Sequence, residues 1–190
     1  MELQICHVGD QNGAPLFSVV RSGDLKRTAP VSLPSPVSFP VGDGAERGLL
    51  PRLRWYLEGY LQAPFGAYRQ SAQAVAETLQ AWGGAGFDRL FVGQAQNWYQ
   101  TARGQSFRDF RIKITSDSPE IMAWPWEALY SREDGYLALR FPVERQLSTA
   151  LGDPPPLPES LPQDALRILS VIPRPDGTGN VGDRTLAKSL

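Results

Sequence analysis

The only cysteine and the only histidine of the chain, Cys6 and His7, are neighbours near its N-terminus. A thiol and an imidazole are the two groups of a cysteine-peptidase dyad, in which the base activates the thiolate. The surrounding residues alternate between apolar and polar, which predicts a strand, and adjacent strand residues point to opposite faces. We therefore expect structural or incidental roles for both residues, no catalytic dyad and, with only two potential ligands, no metal site.

A second candidate is the glycine-rich segment 177–182, Gly-Thr-Gly-Asn-Val-Gly, between a predicted strand and a predicted helix. This spacing and context are typical of a dinucleotide-binding loop. However, Pro173 to Asp176 separate the strand from the first glycine, and the acidic residue expected about 20 positions later would lie beyond Leu190. The preferred interpretation is a flexible Gly/Asn loop that holds no cofactor, and saturable binding of NAD at this loop would reverse it.

A third candidate is the aromatic segment Trp124-Pro125-Trp126-Glu127. Two indoles and a carboxylate could form a cage around a ligand. Alternatively, the indoles fill the core, because each buries a large apolar area, while Glu127 pairs with an arginine or with exposed N–H groups. We favour the core interpretation, in which the four residues are a structural motif.

The N-terminal segment is predicted to form a β-hairpin. Its strands are expected at residues 2–8 and 16–21, around a turn at Asp10–Gly13 in which Gly13 can take a positive φ. The prolines of residues 30–44 then predict an irregular loop.

Helices are predicted for the next segment. Pro51 is a favourable first helical residue, apolar residues follow it at helical spacing, and Pro64 should stop the helix. A second helix is predicted over residues 68–82, capped by the Gly83-Gly84 pair. A third is predicted over residues 87–99, and the helices are expected to pack on one another.

Strand patterns return after the helices. Residues 107–115 alternate between apolar and charged side chains, which predicts a half-buried strand. Residues 136–147 are predicted to form another strand, in which Pro142 favours an edge position or a bulge. We expect these strands to form an antiparallel set.

The last segment has a different character. Residues 166–173 are almost continuously apolar, which is typical of a strand buried on both faces in a parallel α/β sheet. Asp183 then suits the N-cap of a helix in which the sequence stops. Because one strand and part of a helix cannot bury their own apolar faces, we expect the natural protein to continue.

Composition excludes several classes of partner. The 19 basic and 20 acidic residues nearly cancel, so bulk charge gives no reason to expect nucleic acid or an anionic membrane. The N-terminus lacks the pattern of a secretory signal, and no window approaches the roughly 20 apolar residues of a membrane span. A single cysteine fits a reducing compartment. These features predict a cytoplasmic protein without a membrane partner.

Short motifs stand in a distinctive order in the second half of the chain. They are Phe110–Ile114, Pro119-Glu120, Trp124–Tyr130, Gly135–Leu139 and Val143–Arg145, followed by the apolar strand at 166–173. This order resembles the beginning of the CHAT domain family, bacterial caspase-like domains that are often attached to tetratricopeptide repeats. The helices of residues 50–99 resemble the helical segment that often precedes such domains.

The resemblance implies a cysteine-peptidase fold in which a histidine and then a cysteine follow later strands. Neither lies within this chain, so no catalytic residue is assigned here. The loop after the first strand of an α/β sheet lies at its active-site end, which makes Arg174 and Asp176 candidates for a substrate pocket. Unchanged kcat/KM on peptide substrates for Arg174→Ala in the complete protein would remove Arg174 from that role.

The expected fold class is therefore α+β. It comprises an N-terminal β-hairpin, a helical pair or triplet, antiparallel strands, and the first strand and helix start of a caspase-like α/β sheet. Four segments are predicted, namely the hairpin and Pro-rich loop (1–45), the helical lead-in with its strands (46–150), a Pro-rich linker (151–165) and the start of the caspase-like sheet (166–190).

The expected function is that of the N-terminal, non-catalytic part of a CHAT-type, caspase-like cysteine endopeptidase. Its partners would be a protein or peptide substrate or regulator, and tetratricopeptide repeats in the same or a partner chain. A non-catalytic interaction module with a degenerate caspase-like fold is the alternative. A dinucleotide-binding domain that uses Gly177–Gly182 is a further alternative. No cofactor is expected in the two interpretations based on the CHAT family.

Overall fold

The computed structural model describes residues 1–23, 26–42, 48–62, 64–104 and 110–148, and confirms the α+β class for them. The strands are β1 (Glu2–Gln11), β2 (Ala14–Arg21), β3 (Val31–Ser32), β4 (Arg111–Ser116), β5 (Tyr130–Ser131), β6 (Gly135–Tyr136) and β7 (Val143–Leu147). The helices are α1 (Leu49–Glu58), α2 (Arg69–Leu90), α3 (Gln94–Arg103) and α4 (Pro119–Met122), with 3-10 turns at Tyr60–Gln62, Trp126–Ala128 and Leu137–Leu139.

The predicted N-terminal hairpin is confirmed. Strands β1 and β2 pair antiparallel around a two-residue turn, in which Asn12 and Gly13 have φ values of 53° and 76°. Two successive positive φ values are typical of the turn whose twist matches the twist of the paired strands. The alternation along β1 sends Leu3 and Ile5 into the core.

The direction of the later strands was predicted wrongly. The described residues form a five-stranded sheet in the order β3-β2-β1-β4-β7, and β4 pairs parallel to β1 while β7 pairs parallel to β4. Antiparallel neighbours need only a short turn, whereas parallel neighbours need a connection that returns the chain to the starting end of the sheet. Residues 49–104 and 117–142 provide these two connections. Strands of the predicted segments 1–45 and 46–150 therefore share one sheet.

The single strand predicted over residues 136–147 is divided in the structure. Residues Leu137–Leu139 form a 3-10 turn between β6 and β7, so Leu137 is buried while Leu139 is 81% exposed. Pro142, which lacks a backbone N–H, lies immediately before β7 and accepts a hydrogen bond from the N–H of Ile112. Within the described sheet, β7 is an edge strand, in agreement with the position expected from this proline.

The helix boundary predicted at Gly83-Gly84 was also wrong. Helix α2 continues through both glycines to Leu90. A Cβ atom at Gly83 would lie 1.7 Å from the carbonyl oxygen of Ala128, so glycine is needed there for close approach of two backbones. The break between α2 and α3 falls instead at Gly93, whose φ of 55° lies in the left-handed region. The third helix consequently begins at Gln94 rather than at residue 87.

One face of the sheet packs against the helices. Trp82 of α2 is fully buried, and its indole N–H donates to the carbonyl oxygen of Pro34 at 2.9 Å, which ties the Pro-rich loop to this helix. Helix α1 packs on α2. The fully buried apolar side chains of β1, β2 and β4 are Leu3, Ile5, Phe17, Val19, Ile112 and Ile114.

None of the helices in the described ranges is long and apolar enough to cross a membrane.

The close approach at Gly83 gives a testable prediction. We expect Gly83→Ala to destabilise the protein by about 1–3 kcal/mol, because the new methyl group forces α2 away from Ala128. Gly84→Ala is the matched control, since no atom lies within 4 Å of the position that its Cβ would take. It should stabilise the helix by up to about 1 kcal/mol. Urea unfolding measures both changes, and equal effects at the two positions would contradict the packing described.

Candidate functional site

The indole rings of Trp124 and Trp126 lie in the core. They stack on each other with ring centroids 5.6 Å apart, and the Trp126 N–H donates to the carbonyl oxygen of Ile121 at 2.8 Å. On one side they contact Phe17 of β2, at centroid distances of 5.6 and 5.4 Å. On the other side they contact Trp82 of α2, at 6.2 and 6.3 Å. The indoles thus fill the space between the sheet and the helix, and they leave no open cage.

Glu127 is held by Arg145 of β7. The guanidinium binds both carboxylate oxygens, with 2.6 Å between Nη2 and Oε2. The same guanidinium donates to the carbonyl oxygens of Met122 at 2.9 Å and Trp124 at 3.2 Å. Such bidentate, charge-assisted contacts are among the stronger hydrogen bonds in proteins. Arg145 therefore fixes the aromatic segment to the edge strand of the described sheet.

An apolar groove with a volume of about 490 Å³ lies over the turn that carries this segment. Helices α1 and α2 form two of its walls, and the 3-10 turns at Trp126–Ala128 and Leu137–Leu139 form the others. Leu57 and Leu139, at 54% and 81% exposure, present large apolar side chains to solvent there. The described lining residues are Leu53, Tyr56, Leu57, Val75, Ala76, Leu79, Pro125, Glu127, Ala128, Tyr136, Ala138 and Leu139.

The lining of this groove suits binding rather than chemistry. Glu127 is the only described lining residue whose side chain is charged at neutral pH, and its carboxylate is already bonded to Arg145. An exposed apolar depression of this kind is typical of a site that receives apolar side chains of another protein segment. Sequence reasoning identified the apolar stripe of α1 but assigned it to helix packing. The sequence carries no signal that separates the two roles, because Leu53, Tyr56 and Leu57 have the i, i+3, i+4 spacing of an ordinary packing stripe.

A polar cluster lies where β1 and β4 end, and sequence reasoning did not identify it. The two strands are parallel, so their carboxyl ends meet at one edge of the sheet. There His7 Nδ1 lies 3.1 Å from Ser116 Oγ, and His7 Nε2 lies 3.4 Å from a carboxylate oxygen of Asp10. Serine, histidine and aspartate form catalytic triads in other proteins. Here Ser116 is fully buried and its hydroxyl accepts the N–H of Ser118 at 3.0 Å, so it cannot reach a substrate.

Cys6 does not join this cluster. It is half-buried on the opposite face of β1, and burial raises the pKa of its thiol, an effect partly offset by the charge of Arg27. Little thiolate is therefore present at neutral pH, which makes Cys6 a poor nucleophile. Within the described ranges, no group of three His, Cys, Asp or Glu side chains could hold a metal ion.

The buried carboxylate of Asp134, at the β5–β6 turn, was also not identified from the sequence. The side chain of Asp134 is inaccessible to solvent, accepts a 2.7 Å hydrogen bond from the Tyr99 hydroxyl, and pairs with Arg103 and Arg140. Burial and the adjacent carboxylate hold the pKa of Tyr99 well above its ordinary value. Because the carboxylate is fully paired, this network is a structural link between α3 and the turn.

The remaining predicted site residues, Arg174, Asp176 and the loop Gly177–Gly182, lie outside the described residues. Comparison of the chain with protein-family models, with curated proteins and with solved structures gave no match.

Removal of one indole tests whether it belongs to the core. We expect Trp126→Ala to lower the free energy of unfolding by about 3–5 kcal/mol, as large aromatic truncations do. Trp126→Phe should cost less, because it keeps an aromatic ring against Phe17 and loses the bond to Ile121. Denaturant unfolding measures both. An unchanged midpoint for Trp126→Ala would indicate a surface role instead.

The raised pKa of Cys6 predicts its reactivity. At any neutral pH, a raised pKa leaves a smaller thiolate fraction than in the unfolded chain, so alkylation by iodoacetamide should be slower in the folded protein. A plot of the alkylation rate against pH should rise at higher pH in the folded protein than in the protein unfolded by guanidinium. A rise at lower pH would reveal an activated thiol and would contradict our assignment.

Proposed function

We propose that residues 1–148 form a non-catalytic protein-interaction domain, the N-terminal part of a CHAT-type, caspase-like cysteine endopeptidase. The observation that carries the proposal is the apolar groove between α1, α2 and the two 3-10 turns. Its volume of about 490 Å³ and its apolar lining suit an amphipathic helix or another apolar segment of a partner protein.

Two observations support a non-catalytic role for this part of the chain. Cys6 and His7 lie on opposite faces of β1, and burial raises the pKa of the thiol. Ser116, the other nucleophile beside a histidine, is fully buried. If the complete protein is a peptidase, its catalytic groups are expected outside these residues, in agreement with the family pattern.

The motif residues that carry the resemblance to the CHAT family contact one another. The Phe110–Ile114 motif overlaps β4, which pairs with the Val143–Arg145 motif in β7. Arg145 in turn binds Glu127 of the Trp-Pro-Trp-Glu segment. Motifs that are separate in the sequence thus form one continuous packed unit.

The partner in this proposal is a protein or peptide, either a regulator of the peptidase or its substrate. Tetratricopeptide repeats, in the same or a partner chain, are one candidate class of partner.

The cytoplasm is the proposed compartment. A degenerate caspase-like module without activity would use the same groove, and detection of peptidase activity in the complete protein distinguishes it from the main proposal. The groove gives no support to dinucleotide binding, because that alternative depends on Gly177–Gly182 alone.

The double variant Leu57→Glu/Leu139→Glu tests the groove. Both side chains are more than half exposed, so stability should change by no more than about 0.5 kcal/mol per site. Two carboxylates in an apolar site should weaken partner binding at least about tenfold, because a charge is costly to bury. Affinity capture with quantitative mass spectrometry identifies the partner, and titration calorimetry with the purified partner measures the dissociation constant.

The control variant is Val92→Glu/Leu147→Glu, which adds the same charge at exposed apolar residues outside the groove. It should bind the partner as the unmodified protein does. Equal binding by the groove variant, or equal loss in both variants, would contradict the proposed function.

A further inference from the structure

We propose that a second, smaller cleft between α1 and α2 binds a phosphate group attached to an aromatic or otherwise flat group. This arginine cleft has a volume of about 250 Å³ and its described lining residues are Pro51, Arg52, Trp55, Tyr68 and Ser71. It shares no described lining residue with the apolar groove, so the inference is independent of the proposed function.

Arg52 is the residue that points to an anion. Its Nε atom is buried, and no acceptor among the described residues bonds to it. Arg52 as a whole is partly exposed and lines the cleft. An anion in the cleft would therefore meet a guanidinium whose Nε has lost water without gaining a protein acceptor, and its charge would offset that lost hydration. Six other arginines of the described chain each have an acceptor, namely Arg54, Arg89, Arg103, Arg111, Arg140 and Arg145.

The opposite wall of the cleft supplies further donors. Tyr68 precedes α2 and Ser71 lies in its first turn, and both residues, whose side chains each carry a hydroxyl group, line the cleft. No side chain caps this end of the 22-residue helix, and its first turn holds no acidic residue. The N-terminal end of a helix carries partial positive charge and unbonded N–H groups. Guanidinium and hydroxyl donors on two sides suit the three oxygens of a phosphate better than a carboxylate.

Aromatic rings form the side of the cleft next to these donors. Trp55 and Tyr68 meet edge to face with ring centroids 6.1 Å apart, and Tyr68 is 64% exposed. An exposed ring beside an arginine offers a surface for stacking a second ring. The cleft volume of about 250 Å³ fits one phosphate and one ring rather than a longer ligand. An aryl phosphate is therefore the smallest ligand that would contact both the donor side and the aromatic side of the cleft.

Nuclear magnetic resonance of the whole chain tests the site. Phenyl phosphate and inorganic phosphate are titrated separately at constant ionic strength, and the signals of Arg52 Nε–Hε and the Trp55 indole N–H are followed. We expect saturable shifts at both signals, with tighter binding of phenyl phosphate. Arg52→Gln should weaken binding at least about tenfold, as expected for loss of a charge-assisted hydrogen bond.

Arg54→Gln is the matched control, because it removes the same charge two residues away on α1, where Arg54 pairs with Glu58. It should leave the dissociation constant within about twofold, since exposed charges are screened by salt. Absence of a saturable shift, or equal weakening by the two arginine substitutions, would overturn the site. Equal affinity for the two ligands would overturn the role of the rings.

A second variant keeps the test decisive if Arg52→Gln does not fold. Ser71 is exposed, so Ser71→Ala should preserve α2 and weaken phenyl phosphate binding several-fold. Unchanged affinity in Ser71→Ala would count against the cleft. The groove variant Leu57→Glu/Leu139→Glu should bind phenyl phosphate normally, so failure of the groove and failure of this cleft are distinguishable.

Discussion

The described structure depends on the placement of two stacked indoles between a sheet and a long helix. Trp124 and Trp126 contact Phe17 of β2 on one side and Trp82 of α2 on the other, so the two layers share one aromatic core. The chain that carries them approaches α2 so closely that Gly83 has no room for a side chain. Close packing of this kind makes the position of one segment depend on every neighbour.

The apolar groove follows from this placement. The 3-10 turn that buries Trp126 also forms one wall of the groove, and Arg145 holds Glu127 there. The core side of the turn is therefore packed against the indoles, while its other side lines the groove. The apolar groove, together with a thiol and a histidine that lie on opposite faces of a strand, is the basis of the recognition role that we propose. This combination is what links the fold to the proposed role.

The sequence predicts part of this arrangement through local patterns. Alternation and turn residues identify the hairpin, and the aromatic segment indicates a core position, because these signals are local. The direction of a strand within the sheet cannot be read from a local pattern. The alternation in β4 predicts which of its faces is buried, but it does not predict which strand pairs with β4. Gly83 is equally ambiguous, because a cap and a close approach both favour glycine, and only the distant Ala128 decides between them. The groove and the arginine cleft depend on the same long-range packing.

Hydrogen exchange at the Trp126 indole tests the central claim most directly. Its N–H donates to the carbonyl oxygen of Ile121 inside the core, so exchange should require global unfolding. The free energy of opening from exchange should then equal the free energy of unfolding from denaturant. The half-buried indole of Trp55 provides the internal reference and should exchange much faster. Exchange of Trp126 at the rate of Trp55 would contradict the account, because the segment would then lie outside the shared core.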